Sequence, residues 1–415
     1  MSDRVFSADK QAMADAIADF EKIDEIAYFC TQKVLNAFNE ERISEYHLNG
    51  STGYGYTDAG RDALDRVFAS AFECEDALVR PQFISGTHVL TVALFGMLRT
   101  GDTMLSITGS PYDTLYEVVG IYDSVGSLKE YGINYKEVAF ENSVFDKEAI
   151  KSELENDKSI KLVFIQKSKG YLDRRTLASE EIGEICKYVK SIKPDVYVMV
   201  DNCYGEFCEK HEPVYYGVDL MVGSLIKNAG GGLAKTGGYI AGTKECVEKC
   251  SFRLTCPGIG RESAATKGYL ADFFQGFFMA PHTVAQALKT AAYCACLFKN
   301  AGFNVNPLPN ELRYDIIQTI TFGDAQNLIN FCKGIQAGAP IDSFALPEPC
   351  EMAGYADKVI MAAGAFVQGA SIELSADGPI RDPFIAFMQG GLTYESGKMG
   401  VLSAAEEVLN IKNNK

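Results

Sequence analysis

The run Leu220-Met221-Val222-Gly223-Ser224-Leu225-Ile226-Lys227-Asn228-Ala229-Gly230-Gly231-Gly232-Leu233-Ala234-Lys235-Thr236-Gly237-Gly238 decides how this chain is read. Leu220 to Val222 has the character of a buried strand. Ser224 and Lys227 stand at its end, and after Asn228 and Ala229 come three glycines. A lysine there is no ordinary surface lysine. Desolvation disfavours its charge and lowers its pKa, whereas condensation with an aldehyde as a Schiff base removes that cost and creates an electrophile. The competing reading is a phosphate-binding loop ending on Lys235-Thr236. It fails because that motif needs glycine at positions 229 and 234, and both are alanine.

Working outward, Val196-Tyr197-Val198-Met199-Val200 is a second buried-strand run, followed by Asp201-Asn202-Cys203-Tyr204-Gly205-Glu206. An acid emerging from a strand suits a metal ion, a ribose hydroxyl or a protonated ring nitrogen, and it equally suits plain capping. Ser85-Gly86-Thr87-His88 opens a helix after a short strand ending near Phe83 and Ile84. Free N–H groups, a positive dipole end and hydroxyls make that turn a phosphate cradle, although a Ser N-cap beside glycine also occurs without a ligand. Further apolar runs at Thr103 to Thr108, Leu162 to Gln166 and Gly238 to Ala241 alternate with helical segments at 61–74, 86–99 and 180–191. The alternation predicts an α/β fold with a mostly parallel sheet covered on both faces, and ligands in such sheets bind beyond the carboxyl ends of the strands.

The chain has 415 residues, 47% hydrophobic and 23% charged, a globular composition that excludes a largely disordered protein. Its net charge of −16 argues against a general nucleic-acid or anionic-membrane binder, which needs a basic surface. No apolar run is long enough to span a bilayer and no secretory h-region is visible, so the expected compartment is the cytoplasm. The twelve cysteines are scattered, many inside apolar runs such as Tyr293-Cys294-Ala295-Cys296-Leu297, and read as reduced thiols. His47, His88, His211 and His282 are isolated and no CxxC occurs, so no metal site is expected. Acids such as Glu73, Glu75 and Asp76 read as solvated helix ends. Residues 10–39 carry helical periodicity with one break, and 48–58 form a Gly- and Tyr-rich loop. Around 283–300 lies a long apolar helix, and proline breaks at 307–309 and 347–349 mark a change of character. We expect an N-terminal segment at 1–60, a large domain at 61–299 and a smaller α+β domain at 300–415.

Asp201 and Lys227, the latter within Ser-x-x-Lys and a Gly-rich turn, resemble the fold type I pyridoxal-phosphate (PLP) enzymes, particularly their cystathionine/methionine lyase branch. Four segments carry a closer resemblance: Ser224 to Asn228 with Gly230 to Gly232, Ala234 to Tyr239, Ser51-Thr52-Gly53-Tyr54-Gly55-Tyr56, and Gln389-Gly390-Gly391-Leu392-Thr393-Tyr394-Glu395. They are similar to the bacterial methionine γ-lyase-like family, whose members are often labelled "aluminum resistance protein" or cystathionine β-lyase-like. The resemblance runs from about residue 45 to 405.

It implies PLP held by Lys227, which also serves as the mobile base, with Asp201 keeping the pyridine nitrogen protonated. It implies Ser85, Gly86, Thr87 and Ser224 at the phosphate, and Tyr112 stacked on the ring and assisting as acid or base near the leaving thiol. Tyr204 and Gln166 are implied as further cofactor contacts, Gln166 or Ser168 facing the ring hydroxyl. Arg381 would bind the substrate α-carboxylate with its planar fork. Tyr54 and Tyr56 match a loop that reaches a neighbouring subunit's cofactor, which implies a homodimer or homotetramer. The implied activity is a carbon–sulfur lyase on a sulfur-containing amino acid, working by α-proton abstraction and β- or γ-elimination. An aminotransferase, another fold type I enzyme, or a PLP-binding stress-related protein with little turnover stand as alternatives. Two departures are visible: Ile226 replaces the threonine usual before the lysine, and Ile165 to Tyr171 replaces an Asn/Pro-containing strand end.

Overall fold

Alternate residues of the central strands feed two different cores. In the computed structural model, which describes residues 2–352 and 357–409, Leu162, Phe164 and Met199 face one side. Val163, Ile165, Val198 and Val200 face the other. Both faces are dry, which is why these strands read as continuous apolar runs rather than alternating ones. The sheet comprises β1 (Asp76–Arg80), β2 (Thr103–Ser106), β3 (Asn134–Glu137), β4 (Ile160–Gln166), β5 (Tyr197–Asp201), β6 (Leu220–Ser224) and β7 (Gly238–Gly242), in the order β1-β7-β6-β5-β4-β2-β3. β7 runs antiparallel to both its neighbours, and the pairings from β6 to β3 are parallel.

The strand expected to end near Phe83 and Ile84 instead ends at Arg80. Pro81 has no N–H for the ladder, and Arg80 turns its guanidinium onto buried Asp65 with contacts of 2.6 and 2.9 Å, tying β1 to the helix Ala59–Phe72. β3 escaped the sequence reading because it is a polar edge strand, Asn-Tyr-Lys-Glu, with no buried residue.

The N-terminal helix runs from Asp3 to Glu40 without the expected break. It contains neither glycine nor proline, and its buried residues Val5, Ala12, Ala16, Asp19, Ile23, Cys30, Val34 and Ala37 form one stripe at three-, four- and seven-residue spacing. That stripe packs along the helix Leu270–Asn300, which begins well before the expected 283. Beyond it lies a second, wholly antiparallel sheet of β8 (Asn304–Asn306), β9 (Gln318–Thr321), β10 (Val359–Ala362), β11 (Ser375–Pro379) and β12 (Ile385–Gln389), ordered β10-β11-β12-β9-β8. Of the expected 300–415 unit, residues 353–356 and 410–415 lie outside the described residues, as does Met1 of the N-terminal segment. Among the described residues no helix is long and apolar enough to cross a membrane. All twelve cysteines are free thiols.

Candidate active site

The carboxyl ends of three neighbouring strands bring the candidate residues together. Gln166 of β4 pairs in register with Asp201 of β5, and Asp201 with Val222 of β6, so the side chains at these ends share one rim of the sheet. Ser224 closes β6, and Lys227 follows after a tight turn in which its N–H reaches the Ser224 carbonyl at 3.4 Å. The glycines beyond it answer a packing need. A Cβ on Gly230 would stand 1.7 Å from the Leu225 carbonyl oxygen, and one on Gly231, at φ +57°, would stand 2.2 Å from the Gly276 carbonyl oxygen of the helix Leu270–Asn300. Only glycine lets the loop lie that close and hold the lysine at the strand end.

Lys227 Nζ sits 4.0 Å from the ring centroid of Tyr204, a cation–π contact. Tyr204 has φ of 75°, a costly conformation for a non-glycine residue. Asn228 over-determines it by donating from Nδ2 to the carbonyls of Tyr204 at 2.9 Å and Glu206 at 3.0 Å. Asp201 is buried, and its Oδ1 accepts the Cys203 N–H at 3.1 Å. Burial raises the Asp201 carboxyl, opposed by the nearby Lys227 charge. Burial alone would lower the Lys227 ammonium, but Cys203, Tyr204 and Asp201 around it carry it above the ordinary lysine range.

Lys227, Asp201, Tyr204, Tyr112 and Gln166 line one inner chamber of about 50 Å³. Tyr112 and Gln166 also line an outer vestibule of about 270 Å³. The rings of Tyr112 and Tyr171, with centroids 5.9 Å apart, stand between the two. Arg381 is in the vestibule and not in the chamber. It is exposed, paired with Asp357 at 3.1 Å, and donates to the Tyr171 carbonyl at 3.4 Å.

Gly86 adjoins the chamber: a Cβ there would lie 3.6 Å from Ser224 Cβ, 3.7 Å from Cys203 Sγ and 3.9 Å from Lys227 Nζ. Ser85 caps the helix Gly86–Met97 by accepting the His88 N–H at 3.1 Å, and Thr87 Oγ1 pairs with Thr114 Oγ1 at 2.9 Å. Tyr54 and Tyr56 line neither cavity. They are exposed and stacked on each other with centroids 5.4 Å apart. Ile226 points its Cδ1 toward Gly369, 3.8 Å from where a Cβ would stand, so an apolar contact with the 363–371 segment occupies this position.

The small sheet supplies residues to which sequence reasoning gave no role. Asp377 and Gln389, from β11 and β12, line the inner chamber together with Phe387, Ile317 and Tyr171. The one available signal was an acid inside the small-residue run Ser375-Ala376-Asp377-Gly378-Pro379.

The family model described as Methionine gamma-lyase matches residues 5–409. The chain belongs to the methionine gamma-lyase family. Among the relatives of this family member is a Bacillus subtilis (strain 168) protein called "Uncharacterized protein YnbB", 48% identical over 399 residues that span 95% of this chain and 94% of the relative. A crystal structure of a carbon-sulfur lyase involved in aluminum resistance from Clostridium novyi NT is 54% identical, with a TM-score of 0.95 over 98% of this chain and 96% of the other. A methionine gamma lyase from Micromonospora echinospora, 15% identical, matches in fold with a TM-score of 0.59 over 88% of this chain and 93% of the other. The fold of this methionine gamma-lyase family member is that of the fold type I PLP enzymes.

Two atoms test whether the residues suit PLP. Ser224 Oγ, next to the start of the Gly86–Met97 helix, is buried without a hydrogen-bond partner, and so is Gln166 Oε1 on the chamber wall. Both lie where an anionic, hydroxyl-bearing ring compound would satisfy them, so the cavity fits the group.

Behind the site, Glu206 is fully buried. Tyr239 donates to its Oε1 at 2.7 Å while Oε2 has no partner, and burial pushes the carboxyl up to about 8. The folded state therefore keeps a proton that the unfolded chain releases near its ordinary value of 4.5. This contribution to stability is complete below that value and is lost as pH rises to about 8. Glu206→Gln keeps the acceptor for Tyr239 and does not titrate. Thermal melts from pH 5 to pH 8 are expected to show its Tm rising by several degrees relative to wild type, and a constant difference would refute the buried neutral acid.

Proposed function

We propose that this chain is a PLP-dependent carbon–sulfur lyase acting on a sulfur-containing amino acid. The observation that carries the reading is the chamber lined by Lys227 and Asp201, with Gly86 standing between Lys227 Nζ and the side chain of Ser224, whose buried hydroxyl has no partner. When bound, PLP supplies an electron sink that makes the substrate Cα–H acidic.

Lys227 would hold the group through its amine, and the same amine is placed to take the Cα proton of the substrate. Asp201 would hold a proton on the ring nitrogen, its burial keeping water from competing. Ser224 Oγ and the N–H groups at Gly86 and Thr87 take the phosphate, with Ser85 fixing that helix start as its cap. Gln166, whose Oε1 has no partner, would meet the ring hydroxyl, and Tyr112 and Tyr204 would hold the ring from the chamber wall. Arg381 meets the substrate carboxylate from the vestibule, exchanging Asp357 for it. Tyr171, Phe387 and Ile317 keep water from the reacting carbon. Tyr54 and Tyr56, exposed on their own subunit, serve the neighbouring site of a homodimer or homotetramer. Twelve free thiols fit a cytoplasmic setting.

The test is to incubate the purified protein with PLP and L-cystathionine, L-methionine or L-cysteine and assay 2-oxo acids. Pyruvate reports cleavage at Cβ and 2-oxobutanoate at Cγ. A lysine-linked cofactor band with no oxo acid from any of the three would overturn the lyase reading and favour an aminotransferase or a non-catalytic PLP protein.

A further inference from the structure

Asp201 is not the only carboxyl in the inner chamber. Asp377, at the centre of β11, is 8% exposed and lines the same space as Lys227 and Tyr112. It reaches that space from the small sheet, opposite the strand ends that carry Asp201. Its hydrogen-bond partners are neutral: Gln389 Nε2 donates to Oδ2 at 3.2 Å, and the Tyr171 side chain bonds to the carboxyl. Among the described residues no lysine, arginine or histidine forms an ion pair with it. Part of the surrounding wall is apolar, with Ile317 and Phe387 lining the chamber and packed with Ile385 and the rings of Tyr171 and Tyr204.

The titratable groups facing Asp377 are few. Cys332 lies behind the sheet on the helix Ala325–Ala337, and Lys227, Asp201, Cys203, Tyr112, Tyr171 and Tyr204 share the chamber. Burial pushes the Asp377 carboxyl up to about 6. A carboxyl in this setting is a poor choice for merely tying β11 to β12. Asparagine would accept the same amide hydrogen bond without the cost of a buried charge. What asparagine cannot do is give up a proton, and a carboxyl poised near neutrality in a substrate chamber is suited to that task.

We propose that Asp377 is a catalytic residue, the general acid that protonates sulfur as it leaves the substrate. The proposal rests on the lyase reading and assigns the leaving-group side of that same site. For a sulfur on Cβ, Lys227 takes the Cα proton, and the electron pair of the Cα–H bond becomes the new Cα–Cβ π bond. The Cβ–S bond breaks with its pair going to sulfur. The Asp377 O–H bond breaks, its proton joining that sulfur to give a neutral thiol and its pair remaining on the carboxylate. Asp377 recovers a proton from water once the thiol has left, and no oxidant or reductant is consumed. Gln389 and Tyr171 hold the carboxyl in place and stabilise its charged form.

Two substrates separate this role from a structural one. S-ethyl-L-cysteine expels a basic thiolate that needs a proton, whereas β-chloro-L-alanine expels chloride, which does not. In the PLP-loaded wild type, kcat/KM for S-ethyl-L-cysteine is expected to fall as pH rises through the pKa of the acid, and the profile for β-chloro-L-alanine is expected to lack that limb. Asp377→Asn is expected to lower kcat/KM for S-ethyl-L-cysteine by about 10²- to 10⁴-fold and to remove the limb, leaving β-chloro-L-alanine within a small factor of wild type. Asp377→Glu is expected to restore part of the loss. The visible cofactor band of the variants checks that PLP is still bound. Equal losses on both substrates, or the same limb for both in wild type, would overturn the proposal. Wild-type enzyme that binds PLP yet releases oxo acid from neither substrate would overturn the lyase reading itself, and the proposal with it.

Discussion

Lys227→Ala is expected to abolish the visible absorption band of lysine-linked PLP and to lower turnover by more than about 10⁴-fold, because one substitution removes both the anchor and the base. The fold is expected to survive, since the Lys227 ammonium packs on the Tyr204 ring at the chamber rather than in a core. Two other buried lysines lie nearby and define the contrary result. Lys167 Nζ is committed to Glu209 at 2.6 Å and to Ser179 Oγ at 2.7 Å. Lys169 Nζ donates to the Asn306 carbonyl at 3.2 Å. Neither has its amine among the strand-end groups that meet at Asp201 and Ser224. A Lys227→Ala protein that kept the band after dialysis against excess PLP would place the anchor on one of these lysines and undo the assignment of the chamber.

Asp201→Asn is expected to lower kcat by about 10²- to 10⁴-fold while leaving KM and the cofactor linkage largely in place. The amide can still accept the Cys203 N–H that the carboxylate accepts at 3.1 Å, so local structure is preserved. What it loses is the charge that keeps a ring nitrogen protonated, and with it the ability of the ring to absorb the electron pair left on Cα. A variant with near wild-type kcat would mean that Asp201 only caps the end of β5. Far-UV circular dichroism and the cofactor band distinguish loss of function from loss of fold. Steady-state kinetics on the substrate that gives most oxo acid measures the effect.

How much of this was legible beforehand differs residue by residue. Gly86 is legible as a helix start and not as a strand end, whereas Lys227, Asp201 and Ser224 are legible because each stands at or just past a short apolar run, and the end of a buried strand is where an α/β sheet exposes side chains to ligand. Gln166 belongs to the same class, and its register opposite Asp201 places it there. For Arg381 the sequence offers a guanidinium near the C-terminal end of the chain, but whether it enters the chamber or stands outside it depends on how the small sheet sits over the large one. The structure puts it beside Asp357 in the vestibule. Asp377 and Gln389 carry no site role in the sequence, although Gln389 opens a segment of the family resemblance, because they come from short strands whose partners are distant or irregularly spaced in sequence. β12 pairs with β9, and no local pattern reports that pairing. Tyr54 and Tyr56 lie exposed on their own chain and line neither cavity.

The sequence by itself determined the parallel α/β layer, the strand ends at which polar groups emerge, and the chemistry available there. Those follow from residue periodicity and from the cost of burying a lysine, which are properties of neighbouring residues. Only the tertiary structure decided that β11 brings a second buried carboxyl to the chamber lined by Lys227, that Tyr112 and Tyr171 divide an inner chamber from an outer vestibule, and that the N-terminal helix runs unbroken along Leu270–Asn300. Each depends on contacts between segments far apart in the chain, where side-chain packing and the burial of whole faces, rather than local preference, set the outcome.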